Sequence, residues 1–230
     1  MVEIYAVSIN ENIDENMFCK LVSLLPLEKQ ERISRFRIRE DAIRSLVGDI
    51  LVRTVICRRL RIKNSDITLS KNEYGKPFLK DRKDCHFNLS HSGKWVVCAV
   101  DNRPVGIDVE KVNKVDLNIA RRFFTSEEYD DLKSMKAEEQ ALYFFDLWTL
   151  KESYIKAAGG GLSIPLDSFS FKIANGNIIM STDNEFKDCY FKQYFIDTGY
   201  KMSVCSWGKE FPNTVNIKTI FELCKEALEM

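Results

Sequence analysis

The chain of 230 residues carries no net charge, because 34 Lys and Arg balance 34 Asp and Glu. A general nucleic-acid binder needs a basic excess to displace counterions from phosphates, so the composition speaks against that class. No C-x-x-C pair occurs among the seven cysteines at 19, 57, 85, 98, 189, 205 and 224, and their number is odd. That argues against a disulfide framework and a structural zinc site. The cysteines read as reduced thiols of a cytoplasmic protein, with Cys98 and Cys205 inside apolar runs that look like core. Only two histidines are present, His86 and His91, and neither has a cysteine or histidine at ligand spacing. No apolar run approaches the length of a membrane span. The opening MVEIYAVSIN lacks the basic flank and long apolar stretch of a signal peptide. No low-complexity segment appears. What remains is a soluble globular chain, 45% hydrophobic and 30% charged. At this length it buries roughly 70–75% of its unfolded surface, as one large domain or two small ones.

Periodicity predicts a strand at Glu3–Ser8, a helical region from Leu27, and a longer helix from Asp41 to Leu60 with Ala42, Leu46, Ile50, Val55 and Ile56 at helical spacing. NEYGKP, 72–77, reads as a turn, and HFNLSHSGKWVVCAV as β-rich. A turn at DNRP, 101–104, separates a strand around Trp95–Val100 from another at Val105–Val109. Thr125 and Glu128 have the spacing of a capping box. A strong helix follows from Glu138 to Ala158 and stops at Gly159–Gly161. Strands SFSFKI, NIIM, YFKQYFI and YKMSVCSW close the pattern. The order is that of an α+β protein, with two halves, 1–103 and 104–230.

Two clusters stand out. In GIDVE, Asp108 and Glu110 are i and i+2 on a strand, so both project from one face while Ile107 and Val109 take the other. Like charges so placed repel, and a cation between them removes the repulsion. Oxygen donors of this kind suit Mg²⁺, which keeps waters and takes few carboxylates together with substrate phosphates. Taken alone, GIDVE is as well explained by the solvated edge of an amphipathic strand. In WTLKESYIK, Trp148, Glu152 and Lys156 form one helical stripe at i, i+4, i+8. Alone it is an ordinary Glu–Lys helix pair, though Trp148 on the same stripe implies partial burial. Together the three acids and the lysine make a magnesium–phosphate constellation.

With NLSHSGKW, NEYGKP and the helical EDAIRSLVGDILVR in order around these two blocks, the sequence resembles the Sfp-type 4′-phosphopantetheinyl transferases over nearly its whole length. The resemblance implies a pseudo-dimer of two similar α+β halves with coenzyme A between them. It implies attack of a serine hydroxyl of an apo-carrier protein on the β-phosphate of coenzyme A, leaving holo-carrier protein and 3′,5′-ADP. By the same resemblance Asp108, Glu110 and Glu152 are metal carboxylates for Mg²⁺, or Mn²⁺ in its place. Lys156 contacts the pyrophosphate, and Glu152, Lys156 and His91 are the catalytic groups. Ser90 and His91 meet the coenzyme, the histidine on phosphate. Tyr74, Gly75, Lys76 and Pro77 form the turn beside the adenine. Lys29, Arg32, Arg44 and Ser45 serve the 3′-phosphate side, with Arg32 resembling a lysine replaced by arginine, a change that keeps charge and adds a fork suited to phosphate. A monomer that uses no nucleic acid and no membrane is expected.

The basic stretch from Lys29 to Arg61, ten Lys and Arg against four Asp and Glu, thereby acquires a use at Lys29 and Arg32. Arg53, Arg58, Arg59 and Arg61 read as a solvated face, and His86 as structural. Glu128 suits a helix cap. Phe123, Phe124 and Tyr129 are either carrier-protein contacts or core. The serine proton needs an acceptor within reach, and Glu152, directly or through a metal-bound water, is the best candidate. A magnesium-dependent phosphohydrolase or nuclease, and a non-catalytic scaffold for coenzyme A or a carrier protein, are the competing functions.

Overall fold

A computed structural model describes all residues except 12 and 175, the side chain of Leu162 apart. The chain runs β1 (Glu3–Ser8), α1 (Glu15–Ser23), α2 (Leu27–Ser34), α3 (Arg39–Leu60), β2 (Leu69–Lys71), β3 (Pro77–Leu79), β4 (His86–Ser92), β5 (Trp95–Asp101), β6 (Val105–Lys111), α4 (Leu117–Phe123), α5 (Ser126–Ser134), α6 (Ala137–Ala158), β7 (Phe169–Ala174), β8 (Asn177–Thr182), β9 (Tyr190–Gln193), β10 (Tyr200–Ser206), β11 (Asn216–Lys218) and α7 (Ile220–Leu228). The architecture is α+β in two halves. Each half sets a 22-residue helix, α3 or α6, against a mostly antiparallel sheet. The first sheet has the order β11-β1-β5-β4 and the second β6-β10-β9.

Strand alternation builds the layers. On β1 and β5, Tyr5, Val7, Val96, Cys98 and Val100 face α1, α3 and α7, while Ile4, Ala6, Trp95, Val97 and Ala99 face the second sheet. There they meet Val105, Ile107 and Val109 of β6 and Met202 and Val204 of β10. The two sheets thus share one apolar seam, and each fully buried Val, Ile or Leu in it contributes about 1.5–3 kcal/mol. The opposite residues of β6, namely Gly106, Asp108 and Glu110, are left to face α6.

The chain's last elements depart from a division at residue 103. β11 pairs in parallel with β1, Tyr5 opposite Asn216. The amphipathic α7 sinks Ile220, Leu223, Cys224 and Ala227 into the core of the first half. Residues 216–228 therefore pack with 1–103, because that is where an apolar surface is open to them. Periodicity foresees neither this helix nor α1 and α4, which are short.

Candidate active site

Gly106 lets α6 touch β6. A Cβ at this position would overlap the Ser153 carbonyl oxygen and lie 2.5 Å from Ala157 N and 3.0 Å from Ala157 Cα. Those are backbone atoms, so only a residue without a side chain permits the approach. Next to it α6 is pinned to β10 by Thr149 Oγ1 and Ser203 Oγ at 2.7 Å and by Lys201 and Asp146 at 2.7 Å. Asp108 and Glu110 thereby come to face Trp148, Glu152 and Lys156 across a cleft of about 370 Å³, also lined by Leu89, Ser90 and His91.

The wall opposite α6 is made by an unusual junction. β4 and β6 share no backbone ladder; polar side chains of β4 replace it. Asn88 Oδ1 accepts from Ile107 N–H at 2.9 Å, Ser90 Oγ from Val109 N–H at 3.4 Å, and Ser92 Oγ from Lys111 N–H at 3.1 Å. The same hydroxyls donate to the acids, Ser90 to Asp108 Oδ1 at 2.8 Å and Ser92 to Glu110 Oε2 at 2.7 Å. Ser92 escapes motif reasoning, yet its period of two with Ser90 is the signal that places it on the same face.

Charge in the cleft is unbalanced. Lys156 Nζ donates to Asp108 Oδ1 at 2.6 Å and to Ser90 Oγ at 3.1 Å. Asp108 is only 2% exposed, and its other oxygen, Oδ2, is buried with no hydrogen-bond partner. Burial raises the Asp108 pKa, against the pull of Lys156. Glu110 is raised by burial and then by Asp108; Glu152 is raised by burial and then by Asp108, with Glu110 adding. Three acids share one lysine, which is the environment a divalent cation relieves. Asp108, Glu110 and Glu152 therefore fit Mg²⁺, with the orphaned Oδ2 as the donor the protein leaves unused. Among the described residues no three His, Cys, Asp or Glu side chains form a ready metal cage. A cage is not what Mg²⁺ requires, since it binds through one or two carboxylates and keeps waters and phosphates for the rest.

The remaining expected residues distribute as follows. His91 stands at the cleft mouth; partial desolvation, and then Arg44 and Lys156, hold its pKa below the ordinary value. Arg44 grips the β4–β5 turn, donating to Gly93 O at 3.1 and 3.2 Å and to Asp41 at 2.5 Å. Lys29 pairs with Asp49 at 2.9 Å, and Arg32 reaches Ser45 Oγ at 3.5 Å. Tyr74 is exposed, and Gly75 turns with φ of 84°. Lys76 does not point outward: its Nζ donates to Ala157 O at 3.1 Å.

Packing settles Glu128 and the aromatic residues around it. Glu128 closes the predicted cap, accepting from Thr125 N–H at 2.9 Å, and is also buried, accepting from Phe171 N–H at 2.8 Å and pairing with Lys151 at 2.8 Å. Lys151, fully buried, donates as well to Leu166 O and Phe169 O at 2.7 Å each. It thus faces away from the cleft that its neighbour Glu152 enters. Phe124 is core, stacked on Phe144 at 5.2 Å, and Phe123 and Tyr129 are half-buried against the same cluster. A larger cavity of about 630 Å³ lies between Met1, Asp101, Arg103, Tyr190 and Trp207. Its buried acid is satisfied inside the fold, Asp101 accepting from Ser206 Oγ at 3.0 Å and Asn102 N–H at 2.8 Å. The excess of carboxylate over cation is found in the smaller cleft, which is the candidate site.

Comparison with known proteins identifies the family. Residues 104–205 match the family described as the 4′-phosphopantetheinyl transferase superfamily, and residues 12–103 match 4′-phosphopantetheinyl transferase, N-terminal. The chain is 44% identical over 222 residues to the 4′-phosphopantetheinyl transferase Sfp of Bacillus subtilis (strain 168), covering 96% of this chain and 99% of that one. It is 42% identical to the 4′-phosphopantetheinyl transferase ffp of Bacillus subtilis, covering 94% and 96%. To the 4′-phosphopantetheinyl transferase gsp of Aneurinibacillus migulanus it is 40% identical over 230 residues, covering 100% and 96%. The chain belongs to the 4′-phosphopantetheinyl transferase superfamily.

Proposed function

We propose that the cleft moves the 4′-phosphopantetheine arm of coenzyme A onto a serine of an apo-carrier protein, with Mg²⁺ (or Mn²⁺) held by Asp108, Glu110 and Glu152. The observation that carries the metal assignment is the buried, unpartnered Asp108 Oδ2 in a cleft where three acids share Lys156. When bound, the cation supplies charge neutralisation at the pyrophosphate oxygens and a template for in-line displacement.

This chain's own residues do the rest. Lys156, already in hydrogen-bond contact with Asp108 and Ser90, is placed to offer its ammonium to a pyrophosphate oxygen. Ser90 and His91 line the same cleft and meet the coenzyme, His91 as a donor to phosphate. Lys29, Arg32, Arg44 and Ser45 serve the 3′-phosphate, and Tyr74, Gly75 and Pro77 face the adenine, with the Lys76 ammonium turned away to Ala157 O. The carrier serine Oγ attacks the β-phosphorus. The new O–P bond forms as the bond from that phosphorus to the bridging oxygen breaks, and 3′,5′-ADP leaves with the electron pair. The serine proton passes to Glu152, directly or through a water. The N-terminal half, 1–103, provides the 3′-phosphate and adenine side, and 104–230 the carboxylates and Lys156. The physiological setting is carrier-protein activation for nonribosomal peptide or polyketide synthesis by a cytoplasmic monomer. Among the described residues no helix is long and apolar enough to cross a membrane.

The test is incubation with coenzyme A, MgCl₂ and a panel of apo-carrier proteins, read by mass spectrometry. A phosphopantetheine-sized mass increase is expected, abolished by chelation of Mg²⁺ and by Asp108→Ala with the fold retained. Full Mg²⁺-dependent transfer by Asp108→Ala sinks the metal assignment. Coenzyme A breakdown without any carrier protein favours a hydrolase, and no mass increase on any carrier favours a scaffold.

A further inference from the structure

One side chain organises the 72–77 turn from inside and reaches out of it at the same time. Asn72 Oδ1 accepts from Tyr74 N–H at 3.0 Å and from Lys76 N–H at 2.8 Å. Backbone bonds from Gly75 N–H to Asn72 O and from Asn72 N–H to Lys76 O, both 3.0 Å, close the same loop. The amide end of Asn72 leaves the N-terminal half altogether: Nδ2 donates to Gly159 O at 2.8 Å. Lys76 follows it across, its Nζ donating to Ala157 O at 3.1 Å and Val105 O at 3.4 Å.

The acceptors are not arbitrary. Ala157 lies in the last turn of α6, and Gly159, with φ of 81°, is the left-handed residue that ends it. Carbonyls there lack intrahelical donors and carry the negative end of the helix dipole. An ammonium and an amide N–H are the donors such a terminus takes. Val105 opens β6. The two elements gripped by the turn are therefore the two that carry Asp108, Glu110, Glu152 and Lys156. Lys76 gives up solvent for these contacts, and that burial lowers its pKa to about 8.

We propose that Asn72 and Lys76 are positioning residues that latch the 72–77 turn to the end of α6 and the start of β6, setting the distance between the adenine side of the cleft and its carboxylates. The inference rests on the assignment of coenzyme A to this cleft. A ligand held at both ends gains from the second contact only as far as the two grips are pre-set at the right separation. Cutting the latch therefore weakens a ligand that bridges both sides and leaves untouched one that meets a single side.

Calorimetric titration of Asn72→Asp, which keeps the oxygen that Tyr74 and Lys76 N–H donate to but loses the donor to Gly159 O, and of Lys76→Met, with coenzyme A and with adenosine 3′-phosphate, which reaches only the basic and adenine side, separates the cases. Coenzyme A should bind about tenfold more weakly to each variant, and adenosine 3′-phosphate within about twofold of the parent protein. Lys76→Arg, which keeps a donor for the helix end, should recover most of the loss and guards against a variant that merely folds badly. Equal losses for both ligands overturn the latch, because they mean direct contact with the nucleotide. Undiminished coenzyme A binding in both variants overturns it as well. If the parent protein itself does not bind coenzyme A, the assignment of the cleft fails first, and visibly so.

Discussion

Gly106→Ala adds one methyl group at the point where β6 and α6 touch. The new Cβ would overlap Ser153 O and stand 2.5 Å from Ala157 N. Comfortable contact needs about 3.5 Å or more, so one element must withdraw by roughly an ångström. No rotamer change relieves this, because the opposing atoms are backbone. Overpacking of this kind costs about 1–3 kcal/mol of stability. The larger effect falls on the chemistry. Glu152 precedes Ser153, and Lys156 precedes Ala157, so they travel with the helix while Asp108 and Glu110 stay with the strand. The 2.6 Å contact between Lys156 and Asp108 lengthens, and the carboxylates part. A displacement of about 1 Å costs on the order of 100-fold in rate, equivalent to about 2.7 kcal/mol of barrier. Transfer to an apo-carrier protein, followed by mass spectrometry at saturating Mg²⁺, gives kcat/KM, and urea titration gives stability. A Gly106→Ala protein that melts with the parent and transfers within about threefold of its rate refutes the claim that this contact sets the cleft.

The buried Glu128–Lys151 pair is structural, so Lys151→Met should cost about 3–5 kcal/mol in urea unfolding by leaving Glu128 uncompensated; a cost below about 1 kcal/mol contradicts that. Replacing Lys29 and Arg32 together by Ala should weaken coenzyme A by about 10–100-fold, the loss expected for one or two charge-assisted phosphate contacts, and dephospho-coenzyme A hardly at all. Equal losses for the two ligands remove both residues from the 3′-phosphate.

Periodicity alone determined much of this molecule. The alternation in GIDVE put Asp108 and Glu110 on one face, and the spacing in WTLKESYIK put Trp148, Glu152 and Lys156 on one stripe; the fold keeps both faces and turns them toward each other. The Thr125–Glu128 cap and the stop of α6 at Gly159 were equally legible, because a cap depends on residues only a few positions apart. Local rules do not say which faces meet. That Ser92 holds Glu110, that Lys151 turns from the cleft while Glu152 enters it, and that Asn72 and Lys76 cross to the other half depend on contacts between residues 15 to 87 positions apart. The return of β11 and α7 to the first half is longer still. A strand or helix specifies its apolar side by composition, but the partner for that side is chosen by shape and by whichever surface remains uncovered. Only the assembled chain decides that.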